Sequence, residues 1–182
     1  METVNIKGKY FEKYITNEEI NSIVKSLSQR INEDYFGKEI YFLVILNGAF
    51  LFASDLFKQI KGLPRINFIK VSSYSGISSS GKVNELIGLN EDITGKDVII
   101  IEDIVDTGNT MEELLKLLKT KEPSSLEICS LMLKPNSFKK DFNIKYIGKE
   151  ISDEFIVGYG FDLDGYGRNL KDIYQLKRKA DK

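Results

Sequence analysis

Val98-Ile-Ile-Ile-Glu-Asp-Ile-Val-Asp-Thr-Gly-Asn-Thr-Met111 is the stretch from which the architecture of this chain can be read. Its β-branched opening reads as a buried strand. The strand ends in adjacent carboxylates, Glu102 and Asp103, followed by Asp106 and a small polar turn, Thr107-Gly108-Asn109-Thr110. Met111, Leu114, Leu115 and Leu118 then share one face of an amphipathic helix. At the carboxyl end of a parallel strand, this order sets anionic oxygens beside free backbone N–H groups at a helix start. The acids suit a polyol and the turn suits a phosphate; a phosphorylated sugar has both. Singly, such residues are solvated loop carboxylates and helix caps. Their order is what points to a site. The turn lacks the Gly-x-x-x-x-Gly-Lys spacing of a Walker loop, so an ATPase of that type is excluded.

Outward from this stretch, strands and helices alternate. Thr16-Asn-Glu-Glu19 has capping-box spacing, and Ile20, Ile23, Val24, Leu27 and Ile31 follow with helical periodicity. The run 40–46 is nearly all apolar, as in a strand buried on both faces. It breaks at Asn47-Gly48 and passes into a helical segment near 49–60. Residues 66–71 and 126–133 give two further strands. The series is that of a parallel sheet with helices on its faces. Residues 146–161 are again strand-like, with turns expected at Gly148 and Ser152-Asp153, and are expected to build a small substructure over the sheet's carboxyl edge. Residues 72–90 are rich in Ser and Gly and read as a mobile loop within one domain, placed to act as a lid.

Composition narrows the chemistry. At 182 residues, with 42% hydrophobic and 29% charged residues, the chain is expected to be a single globular domain, 1–182. The net charge of −1 gives no basic surface for nucleic acid. No apolar run approaches the roughly 18 residues of a membrane span. The amino terminus shows no basic region followed by an apolar one, so a cytoplasmic location is expected. The absence of histidine removes Ser-His-Asp triads and histidine metal sites together. The single cysteine, Cys129, lies in an apolar run and reads as a buried strand residue. Acid–base work is left to Asp, Glu, Lys or Tyr, and any divalent metal would be a hard one held by oxygens.

The set Glu-Asp-Ile-Val-Asp-Thr-Gly-Asn-Thr, 102–110, resembles the phosphoribosyl pyrophosphate (PRPP) signature of the type I phosphoribosyltransferases. Its form is similar to that of the 6-oxopurine branch, the hypoxanthine-guanine phosphoribosyltransferases. Further segments match in order from about Tyr41 to Leu170. The resemblance implies an α/β fold: a mostly parallel sheet flanked by helices, a small hood subdomain from about 1–15 and 135–182, and a mobile active-site loop at about 72–90. It implies transfer of the phosphoribosyl group from PRPP to hypoxanthine or guanine, with Mg²⁺ as cofactor and small molecules rather than nucleic acid or membrane as partners. A homodimer or homotetramer is also implied.

By the same resemblance, Asp106 is the general base toward N7 of the purine, and Asp106, Thr107, Gly108, Asn109 and Thr110 grip the 5-phosphate. Glu102 and Asp103 face the ribose hydroxyls, directly or through metal-bound water. Asp162 is a metal-binding carboxylate near the purine, and Arg168 binds pyrophosphate. Lys134 donates to the exocyclic oxygen at C6, Phe155 stacks on the base and Ile156 offers a backbone carbonyl to its edge. Ser73 and Tyr74 match the lid. Leu46-Asn47-Gly48 matches the pyrophosphate loop, which carries a non-proline cis bond in relatives; Asn47 stands where they often have lysine. Two alternatives stay open: a transferase preferring xanthine, and a PRPP- or nucleotide-sensing regulator on the same fold.

Overall fold

The computed structural model describes residues 2–73, 83–89 and 91–177. Its main sheet has six strands: β3 (Ile40–Leu46), β4 (Arg65–Ser73), β5 (Val83–Ile87), β6 (Asp97–Val105), β7 (Ser125–Leu133) and β8 (Tyr146–Glu150). Their spatial order is β5-β4-β3-β6-β7-β8. Every pairing is parallel except β4 with β5. Alternate residues of β3 enter opposite layers: Phe42 and Val44 join one core, while Tyr41, Leu43 and Ile45 join the other. The first core is covered by α1 (Asn17–Asp34) and α2 (Phe50–Phe57), the second by α3 (Asn109–Lys119). The N-cap half of the expected capping box forms, Glu19 N–H donating to Thr16 Oγ1 at 3.2 Å, while the Glu19 carboxylate pairs with Lys149 at 2.8 Å.

A second, antiparallel sheet is built from both ends of the chain: β1 (Thr3–Ile6), β2 (Lys9–Ile15), β9 (Ile156–Val157) and β10 (Ile173–Leu176), in the order β1-β2-β10-β9. Ile15, Tyr159, Phe161 and Ile173 carry its packing into the first core. Asp172 joins it to α1 by accepting from Asn17 N–H at 2.8 Å, while Lys13 pairs with the same carboxylate at 2.9 Å.

Three expectations change. Residues 146–150 are not part of a substructure over the carboxyl edge; β8 extends the main sheet alongside β7, because its apolar residues face the core. Gly148 lies inside that strand and not at a turn: a Cβ there would come 2.5 Å from the Leu131 carbonyl, so the glycine permits close strand contact. The range 72–90 is not loop throughout, since β4 runs to Ser73 and β5 pairs back against it. Tyr74, the second residue of the expected lid, lies outside the described residues, as does Asn90 at the loop's end.

Candidate active site

The site is assembled at the carboxyl ends of β3, β6 and β7. β6 pairs with β7 as far as Val105–Leu133, so Glu102 and Asp103 belong to the strand and not to a loop after it. The Asp103 carboxylate accepts from Ile104 N–H at 2.8 Å. It also fills the space where Gly48 lacks a side chain: a Cβ on Gly48 would lie 1.6 Å from Asp103 Oδ2. The β3–α2 loop and the acidic strand therefore touch. The Leu46–Asn47 peptide is cis, and Asn47 is exposed.

The two acids lie side by side in a place poor in water. Burial pushes the Glu102 carboxyl well above the ordinary carboxylate range, and the Asp103 charge pushes it further. Burial raises Asp103 as well, opposed by hydrogen bonds from Glu102 and Ile104 and by the Arg168 charge. Some surface of each residue remains accessible. Such a pair is short of positive charge. Among the described residues no group of three or more acidic or thiol side chains is arranged to hold a metal. Mg²⁺ ordinarily takes one or two carboxylates and completes its shell with water and phosphate oxygens, so the donor set fits.

Beyond Val105 the chain turns into α3. Gly108 sits at the N-cap with φ +81°. A Cβ on it would meet the Phe138 ring at 2.8 Å, so Phe138 backs the turn on its outer side. Asn109 N–H reaches Thr107 Oγ1 at 3.4 Å, and the first amides of α3 have no partner within the helix. Residues 102 and 104–111 line a recess of about 190 Å³. A recess walled by a helix start and hydroxyls suits an anion.

Lys134 follows β7 directly. It is 8% exposed, against the solvated charge ordinary for a strand-terminal lysine. Its Nζ lies 3.2 Å from Asp106 Oδ2 and donates to the Asp153 carbonyl at 3.3 Å. Ser137 Oγ in turn donates to Asp153 Oδ1 at 3.0 Å. Phe155 is 45% exposed, its ring 6.3 Å from that of Phe11. Ile156 buries its side chain but turns its backbone outward. Leu176 N–H donates to the Phe155 carbonyl, so strand alternation points the N–H and C=O of Ile156 to the open side of β9, the sheet's edge strand.

Asp162 and Arg168 meet each other. Arg168 Nη2 lies 2.6 Å from Asp162 Oδ1, and its Nη1 donates to the Gly160 carbonyl at 2.6 Å. Gly165 N–H donates to Asp162 Oδ2 at 2.6 Å. Gly160 rests on the β3–α2 loop, where a Cβ would come 2.1 Å from the Gly48 carbonyl. Of the residues named from sequence, Asp106, Lys134 and the turn converge on one side. Gly48 and Asp103 meet on the other, joined through Gly160 to Arg168 and Asp162. Ser73 ends β4. Phe11, Asp153, Tyr159 and Gly160 were not foreseen. Only Gly158-Tyr159-Gly160 carried a signal, as a glycine pair of the kind that allows close backbone contact.

The chain is similar to known proteins along most of its length. A family described as phosphoribosyl transferase domain matches residues 12–164. The hypoxanthine-guanine phosphoribosyltransferase of Staphylococcus aureus is 44% identical over 167 residues, covering 91% of this chain and 93% of that protein. Its counterpart from Staphylococcus epidermidis is 43% identical over the same shares. The crystal structure of a hypoxanthine phosphoribosyltransferase from S. aureus superposes with a TM-score of 0.83 at 43% identity, covering 91% of each chain. A hypoxanthine-guanine phosphoribosyltransferase from Bacillus anthracis gives 0.83 at 38%, covering 91% of this chain and 98% of that one.

Proposed function

The chain belongs to the phosphoribosyltransferase family, and from that premise we propose that it is a purine salvage enzyme moving the 5-phosphoribosyl group of PRPP to N9 of hypoxanthine and guanine, with release of pyrophosphate. The observation that carries the base assignment is the Lys134–Asp106 contact of 3.2 Å beside the anion recess. An ammonium has three N–H donors. Asp106 and the Asp153 carbonyl occupy two of those on Lys134, and the third is left for a ligand acceptor. A 6-oxo group accepts from it, whereas the 6-amino group of adenine presents donors.

The remaining roles follow from position. Residues 106–110 hold the 5-phosphate. Asp106 takes the proton from N7 as the C1′ bond forms and positive charge leaves the purine. The exposed Phe155 ring offers a stacking face, a contact worth about 1–3 kcal/mol per base, and the outward carbonyl of Ile156 meets the base edge. Gly48, Asn47 and Arg168 face pyrophosphate. Glu102, Asp103 and Asp162 are the carboxylates offered to Mg²⁺, which when bound neutralises pyrophosphate oxygens. We read Ser73 and Tyr74 as part of a lid, the chain as a homodimer or homotetramer, and its location as cytoplasmic. Among the described residues no helix is long and apolar enough to cross a membrane.

The test is pyrophosphate release from PRPP and Mg²⁺ with hypoxanthine, guanine, xanthine, adenine and orotate in parallel. Turnover with the first two, and little with adenine or orotate, is expected. Turnover confined to xanthine would reassign the base, and PRPP binding without turnover on any base would mark a sensor.

A further inference from the structure

Residues 158–160 make an unusual local conformation. Gly158 and Gly160 have φ of +98° and +99°, and Tyr159 between them has φ +49°, a value bulky residues seldom adopt. The glycines lie flat against other backbone, at the Asp172 and Gly48 carbonyls. The Tyr159 side chain, 3% exposed, turns into the first core. There its hydroxyl donates to Asp55 Oδ2 on α2 at 2.8 Å. Burial pushes the phenol above its ordinary range, so it stays a donor.

The elements joined by this bond are the two that shape the pyrophosphate side of the site. α2 begins just after Gly48, and Asp55 sits near its end. Gly160 presses on Gly48 while Tyr159 holds Asp55, so residues 48–55 are gripped at both ends by two neighbouring residues. Each grip has a consequence further on. The position of Gly160 sets Arg168, through the Nη1 bond and through Gly160 N–H donating to the Arg168 carbonyl at 3.0 Å. The position of Gly48 sets the space open to Asp103.

We infer that Tyr159 and Asp55 are a positioning pair, which holds the 46–48 loop and Arg168 at the spacing that pyrophosphate requires while leaving the purine side alone. The inference rests on the PRPP-transfer reading above. Neither side chain touches substrate in it. On the purine side, Asp106 and Lys134 follow the ends of β6 and β7, and the Phe155 backbone is held by Leu176 N–H, so none of the three is bonded to Tyr159 or Asp55.

The experiment is steady-state kinetics and PRPP calorimetry on Tyr159→Phe, Asp55→Ala and Asp55→Asn, with melting temperatures. Tyr159→Phe keeps the ring and removes only the donor. A hydrogen bond to a charged group is among the stronger kinds, so the KM and Kd for PRPP should rise about tenfold. The KM for hypoxanthine should stay within about twofold. Asp55→Ala should behave the same way, and Asp55→Asn, which keeps an acceptor oxygen, should recover most of the loss. The double variant Tyr159→Phe/Asp55→Ala should be no worse than either single one. A lower melting temperature with unchanged PRPP affinity, or equal effects on both substrates, would show the pair to be structural only. If Tyr159→Phe does not fold, Asp55→Ala against Asp55→Asn makes the same comparison. A wild-type chain with no turnover on any purine overturns the function reading instead, and the PRPP Kd series still decides the pair.

Discussion

A glycine and an aspartate illustrate how closely the site is built. Asp103 Oδ2 occupies the volume a Gly48 Cβ would need, at 1.6 Å, so Gly48→Ala must displace the carboxylate or the loop. A misplacement of about 1 Å in a positioning group costs about a hundredfold in rate. The kcat/KM for PRPP should fall on that order while the hypoxanthine KM holds; an unchanged kcat/KM for PRPP would remove Gly48 and Asp103 from the site. Asp106 and Lys134 are in contact yet predict different kinetics. Asp106→Asn keeps the shape and loses the base, so kcat should drop about a hundred- to ten-thousandfold with PRPP binding largely intact. Unchanged turnover would refute the role. Lys134→Ala removes a donor to the base, so the purine KM should rise about ten- to a hundredfold; a selective loss of PRPP binding would mean the lysine serves the other substrate. The residue types and their order were legible. The burial of Lys134 and the Asp162–Arg168 pairing were not, because a sequence shows charge but not which charges a fold brings together across a loop.

At the scale of elements, legibility followed the strength of local signals. β3 carries seven apolar residues and begins and ends where the hydrophobic run does. α1 begins at its capping box, and there the sequence signal has an energetic equivalent. Thr16→Ala leaves the Glu19 N–H without its acceptor and should cost about 1 kcal/mol, seen as a lower melting temperature with kinetics unchanged. A change in the PRPP or purine KM would mean that α1 reaches further into the site than its capping suggests. β5 was missed because Ser and Gly dominate the segment before it, and its pairing with β4 is what makes it a strand. β6 runs four residues past its apolar core because β7 supplies partners out to Leu133; no property of Glu102 or Asp103 themselves predicts that extension.

At the scale of the whole molecule, the antiparallel sheet that joins β2 to β10 was legible only through the family resemblance, which implied a hood drawn from both chain ends, since such pairing follows from chain closure and leaves no mark in either segment alone. The central sheet, by contrast, followed from alternation, and Cys129 reports on how well it is sealed. It lies mid-strand in β7, opposite Ile101 of β6 and Tyr146 of β8, and is fully buried. Burial holds its thiol well above the ordinary range, so the reactive thiolate is suppressed in the native state as well as shielded. Reaction with a thiol reagent should therefore wait for opening of the sheet, and its rate should follow unfolding in denaturant. The same shift sets a pH dependence. Below the ordinary thiol pKa of about 8.5 both states keep the proton and the contribution is constant; above it only the unfolded chain releases the proton, so stability falls as pH rises. Rapid labelling under native conditions, at a rate indifferent to denaturant, would mean that β7 opens locally without the rest of the sheet. Both Lys134 and Asp106 would then rest on a strand pair less rigid than a purine site requires.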